Sequence, residues 1–204
     1  MFAVLRTSIL AALMPAAVFG ATQRRAIDGP FELWAYGTGI GGFPLFYSRG
    51  LAFAGNVSQF SANDSNAAIA SFVTGPDNSW IASPVNATTN WNRATLFIPS
   101  TAMESSLVGF LPENSGGNAS IETTGFSFYG TTAMKIEADG SLASGFTGLP
   151  VSDDVIQIFW NDTSSGQVPI ALRGVAPSSP PPFIPATQLT PATGSNPGDA
   201  SSAS

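Results

Sequence analysis

The stretch Phe31-Glu32-Leu33-Trp34-Ala35-Tyr36-Gly37-Thr38-Gly39-Ile40-Gly41-Gly42-Phe43-Pro44-Leu45-Phe46-Tyr47-Ser48-Arg49-Gly50-Leu51-Ala52-Phe53-Ala54 decides the fold. Phe31, Leu33 and Ala35 alternate with Glu32, Trp34 and Tyr36, and a period of two belongs to a strand rather than a helix. Residues 37–42 interrupt it as a glycine-rich loop, and residues 43–47 resume the extended pattern. Ser48-Arg49-Gly50 reads as a short hairpin turn with glycine at the left-handed position, and residues 51–54 return as its second arm. Seven further strands are expected over 68–73, 95–98, 106–111, 125–129, 133–137, 155–160 and 168–173. Turn clusters rich in Gly, Pro, Asn and Asp separate them, and no segment combines a helical stripe with helix caps. The expected fold is therefore all-β, an antiparallel β-sandwich first, with a β-trefoil or another small barrel as the alternative.

Outward from this core, the chain divides in four. Residues 1–20 carry Arg6, an apolar run at 9–13, and Val18 and Gly20 at the positions that precede a signal-peptide cut before Ala21. Residues 21–25 end in Arg24-Arg25, which reads equally as a dibasic pair for a processing protease, giving a mature start near Ala26, or as two solvated arginines at a frayed terminus. Residues 26–175 form the β-domain, long enough to bury a core without staples. Residues 176–204 are rich in Pro, Ser, Thr and Ala and are expected to form a disordered tail, a plain spacer first, with an O-glycosylated stalk as the alternative that its composition allows. The chain is expected outside the cell, secreted or in a cell wall, and nothing in it spans a bilayer.

The chain has neither cysteine nor histidine. That removes disulfides, thiolate nucleophiles, the commonest general base and the commonest transition-metal ligand. Past residue 25 only Arg49, Arg93, Lys135 and Arg173 stand against thirteen acidic residues, a net charge of −9. Such a surface does not neutralise a run of phosphates, so nucleic acid and anionic membranes are poor partners. No cofactor is expected. The loop at 37–42 superficially looks like a nucleotide-binding loop, yet a strand follows it, and phosphate capture needs a helix N-terminus there.

The candidate residues are of three kinds. Asn-X-Ser/Thr sequons at Asn56, Asn63, Asn86, Asn118 and Asn161 are candidates for N-glycosylation on exposed turns. Trp80, with Asp77 and Asn78 beside it, and Trp91, between Asn90 and Asn92, are candidate glycan platforms, since sugar rings stack on aromatics while polar side chains take the hydroxyls, although the simpler reading, that both rings tuck under loops as satellite core, comes first. Trp160, at the end of an apolar strand, is expected in the core. Catalysis here would fall to carboxylates: a glycosidase holds two about 5–5.5 Å or 6.5–9.5 Å apart. Glu32, Glu122, Glu137 and the pair Asp153-Asp154 are the candidates, each with the simpler reading of a solvated position. Calcium is the metal such acids suit, with Asp153, Asp154 and Asp162 as a conceivable set, but no metal site is assigned.

The segment 31–53 and the closing Val168-Pro169-Ile170-Ala171-Leu172-Arg173, after Ile158-Phe159-Trp160-Asn161, resemble a group of small secreted fungal proteins. The resemblance spans most of residues 30–175 and implies secretion and a β-rich domain. It carries no activity and no site residues. Three function classes follow: a non-catalytic cell-wall or extracellular domain with glycan contact, a carboxylate-dependent glycan-active enzyme, and a secreted protein-interaction factor. An open cleft holding two close carboxylates and a tryptophan separates the second from the first. The third requires an exposed apolar patch free of sequons.

Overall fold

The computed structural model describes residues 24–25, 27, 29–85, 88–100, 105–113, 115 and 117–179. The signal segment, Asn86 and the tail from residue 180 onward lie outside the described residues. A two-residue strand β1 (Arg24–Arg25) precedes β2 (Phe31–Glu32), β3 (Trp34–Gly37), β4 (Ile40–Ser48) and β5 (Leu51–Gly55). A single helical turn, α1 (Ser58–Ser61), leads to β6 (Ala68–Thr74), β7 (Trp80–Pro84), β8 (Ala94–Pro99), β9 (Gly109–Pro112) and β10 (Ile121–Glu122). The chain closes with β11 (Phe126–Tyr129), β12 (Thr132–Ile136), β13 (Leu142–Ala143), β14 (Phe146–Ser152), β15 (Val155–Trp160) and β16 (Val168–Arg173). No helix among the described residues is long and apolar enough to cross a membrane.

The all-β antiparallel class holds, but the sheet is a closed barrel rather than the two open layers of a sandwich. Ten strands run in the order β16-β14-β15-β5-β9-β8-β7-β6-β4-β3, and β3 pairs with β16 to complete the circuit. The β4–β5 hairpin is paired as well, so it divides the circuit into two rings of strands. It can do this because each arm changes partner along its length. The first half of β4 pairs with β3, and Phe46 and Tyr47 further on pair with β6. Leu51 of β5 pairs with β9, whereas Phe53, Ala54 and Gly55 pair with β15. A register shift between Ala35 and Tyr36 adds local twist. None of these long-range choices is encoded in an alternation pattern, which is why a sandwich and a barrel read alike in sequence.

Two local expectations are corrected. Residues 37–42 are no loop: Gly37 pairs with Ile40, leaving Thr38-Gly39 as a two-residue turn with Gly39 at φ 76°. Strands β7 and β14 fall where the sequence offered serine, proline and glycine rather than a run of branched residues. The Ser48-Arg49-Gly50-Leu51 turn is as read, with Arg49 and Gly50 both left-handed at φ 50° and 80°, the geometry that matches strand twist. Asp64 fastens it, accepting from the Ser48 hydroxyl at 2.8 Å and the Arg49 N–H at 3.0 Å. Partial desolvation pushes the Asp64 carboxyl up, but hydrogen bonds from Ser48, Asn66 and Arg49 hold it below the ordinary aspartate range.

One large core fills the barrel, and it is aromatic. Trp80 lies 4.9 Å from Phe128, 5.2 Å from Phe126 and 5.3 Å from Phe31, centroid to centroid, and Phe31 stacks on Phe72 at 5.7 Å. The other face of the β4–β5 hairpin carries Phe46 and Phe53 into a second, smaller cluster with Ile69 and Val155, closed by Phe60 of α1. The hairpin is thus apolar on both faces, as its sequence is.

Candidate functional site

One cleft of about 230 Å3 combines buried charge with an aromatic wall. Its walls come from Ile98, Pro99 and Ser100 at the end of β8, Ser105 and Ser106, Glu122 on β10, Lys135 and Glu137 on and just after β12, and Trp160-Asn161 at the end of β15. Strand alternation builds it. Ala133 and Lys135 are the inward positions of β12, so the lysine goes where an apolar residue is expected, and Glu137 follows at the same period. Lys135 is 8% exposed, and it is the chain's only lysine. Its ammonium lies 3.0 Å from Oε2 of Glu122 and donates to the Ile136 carbonyl at 2.9 Å. The β10–β8 pairing, with Glu122 opposite Ile98, delivers that carboxylate. Gly125, at φ 78°, leaves the space: a Cβ there would stand 3.0 Å from the lysine Nζ. Trp160 is 8% exposed, edge-on to Phe146 at 4.8 Å, with its backbone N–H donating to Ser106.

The expected site residues separate. Glu122 and Glu137 are brought into this cleft together. Glu32 is not; it sits on β2 opposite Ser71, where burial raises its carboxyl above the ordinary glutamate range. Asp153 and Asp154 occupy the turn before β15, and Asp162 follows its far end, about 20 Å away at strand rise. The conceivable calcium set therefore does not assemble, and among the described residues no cluster of three metal-ligating side chains exists. Trp80 is 1% exposed and offers no ring face, so its assignment as a glycan platform is withdrawn. Asp77 and Asn78 are exposed at φ 53° and 57°, in a turn whose Asp77 carbonyl accepts from Gly125. Trp91 is half-buried, 4.6 Å from the Tyr47 ring, with its indole N–H given to the Asn66 carbonyl at 2.9 Å. Of the sequons, Asn63, Asn118 and Asn161 are exposed, Asn56 is half-buried, and Asn86 lies outside the described residues. Trp160 is packed as expected yet also walls the cleft, and Lys135, in sequence only one of four cations past residue 25, stands inside it; its uniqueness in the chain and its inward register are the signals that single it out.

A second hollow forms where residues 175–179 return over β3. The Tyr36 hydroxyl donates to the Val175 carbonyl at 3.0 Å, Arg173 stands over the Tyr36 ring at 5.1 Å, and Pro177 packs on the bare backbone of Gly42. It is lined by the chain's own segment and holds no carboxylate.

Comparison of the chain with protein families, with curated proteins and with solved structures returns no match.

Glu32 yields a prediction of its own. A carboxyl raised on folding binds its proton more tightly in the folded state, so the folded state is penalised at pH above that raised value. Stability therefore falls as pH rises through the window from the ordinary glutamate range up to the raised one. Glu32→Gln is expected to raise the melting temperature at neutral pH, and the gain should shrink to nothing as pH drops below the ordinary range. An identical difference at both pH values would refute the assignment.

Proposed function

We propose that this chain is a secreted, N-glycosylated domain of the cell wall or extracellular matrix that binds the end of a glycan in the Lys135 cleft without transforming it. The observation that carries the reading is the chain's only lysine, buried and ion-paired to Glu122 in a polar cleft that also holds Glu137, serine hydroxyls and a tryptophan. With the Glu122 side chain 45% exposed, such a pair contributes little to stability. Its value lies in oriented donors and acceptors at a concave site. The cleft is smaller than the roughly 300 Å3 at which drug-sized ligand pockets begin, a size suited to one sugar unit. The secreted, fungal-type sequence features support the setting.

The carboxylate-dependent enzyme is the second reading, because Glu122 and Glu137 share the cleft with Trp160. It ranks second because Glu122 is engaged by Lys135 at 3.0 Å, leaving Glu137 as the carboxylate with no ion pair among the described residues. Acid–base hydrolysis needs both carboxylates at the reacting bond.

The test is a glycan array with the full chain, beside Glu137→Gln and Ser106→Ala. Selective binding is expected, weakened about tenfold or more by Glu137→Gln, the effect of losing a charge-assisted hydrogen bond of about 1.5–3 kcal/mol. Shortened oligosaccharides that disappear in Glu137→Gln would promote the enzyme instead. Binding that neither variant changes would remove the cleft from consideration.

A further inference from the structure

We propose that Asn161 carries an N-linked glycan that roofs the Lys135 cleft, so that the secreted protein admits a single sugar unit or chain end and excludes the middle of a polymer. The inference rests on the secretion and the cleft reading given above. Asn161 follows Trp160 directly and is itself part of the cleft wall. It is exposed and left-handed at φ 52°, and its backbone N–H is pinned to the Gly145 carbonyl at 2.7 Å. Its carboxamide lies over Gly145, where the missing Cβ leaves it room. The rest of the sequon is presented too: Thr163 is exposed, and Asp162 holds the turn by accepting from the Ser164 N–H at 2.9 Å.

A second sequon adjoins the cleft through Ser100. Ser100 of the cleft donates its N–H to the Ser120 carbonyl at 2.9 Å and its hydroxyl to Ala119 at 3.0 Å, both within the Asn118 sequon. Two sequons thus stand at one small cleft, whereas Asn56 and Asn63 lie on the α1 side of the barrel, between β5 and β6. At Asn161 the side-chain Nδ2 displaces a lipid diphosphate from the anomeric carbon of the donor oligosaccharide. A C–N bond forms, the C–O bond to phosphate breaks with its electron pair leaving on the diphosphate, and the amide gives one proton to the transferase. The sugar so fixed begins at the cleft lip.

Because Lys135 is the only lysine, its reactivity reports access without any ligand. The full chain, secreted from a glycosylating host, is treated with N-hydroxysuccinimidyl acetate, and Lys135 acetylation is followed by peptide mass. Native protein is compared with endoglycosidase-trimmed protein and with Thr163→Ala, which removes the sequon and keeps Asn161. Glycopeptide mapping should show Asn161 occupied, and Lys135 should react several-fold faster in both trimmed protein and Thr163→Ala, with the Thr163→Ala melting temperature unchanged. Ser120→Ala, treated alike, should speed Lys135 less than Thr163→Ala does, because Asn118 is not itself part of the cleft lining. An unoccupied Asn161, or equal rates in all forms including no reaction in any, overturns the proposal. Failure of the array to find a ligand would sink the binding reading and leave this measurement standing.

Discussion

Trp80→Ala should destabilise rather than blind the protein, losing about 3–5 kcal/mol of stability, the range for deleting a buried tryptophan. The ring is 1% exposed and lies within 5.3 Å of Phe31, Phe126 and Phe128, which come from β2 and β11 while Trp80 comes from β7. Removing it leaves a cavity that three aromatic rings held on two separate strands cannot all move to fill. Against a typical total of about 5–15 kcal/mol, that loss takes much of the margin. Urea denaturation would show it as a lower midpoint with the slope retained. Trp91→Ala should cost less, since that ring is only partly buried at the edge of the core. A Trp80→Ala variant that bound no glycan would therefore say nothing about a glycan site, and one as stable as the parent would disprove the packing.

The contrast between these tryptophans shows what the sequence could reveal. Asp77 and Asn78 made Trp80 look surface-bound, but their polarity serves the turn: both are left-handed, a conformation these side chains tolerate. One residue past the turn, strand alternation turns Trp80 inward. The hairpin at 31–54 was legible because a half-buried strand writes its faces into a period of two. The acids of the cleft were legible one at a time, as strand-borne Glu122 and Glu137. Their meeting was not, because it depends on β10 lying beside β8 and on β12 presenting Lys135 toward it. Barrel closure hides for the same reason: β3 and β16 stand at opposite ends of the domain's sequence, and no local signal ties Trp34 to Arg173.

Gly55 should be the least replaceable glycine of the barrel seam. It is buried, at φ 129°, opposite Val155, and a Cβ there would overlap the Asp154 carbonyl oxygen and come within 2.9 Å of the Val155 Cα. That carbonyl cannot retreat freely, since it accepts the Asn56 N–H at 2.9 Å. Gly55→Ala combines a disfavoured backbone with backbone overlap, about 3–5 kcal/mol in all. Gly39→Ala is the control: φ is 76°, but nothing lies within 4 Å of its Cβ position, so only the left-handed cost of roughly 1–2 kcal/mol applies. The difference bears on the cleft, because the strand that Gly55 holds in register is β15, and β15 ends in Trp160 and the sequon at Asn161. Loosening the seam should therefore speed Lys135 acetylation even in glycosylated protein that remains folded, whereas Gly39→Ala should leave that rate alone. Equal denaturation midpoints for the two variants would mean that the β5–β15 seam is not the constraint that sets the position of the cleft wall.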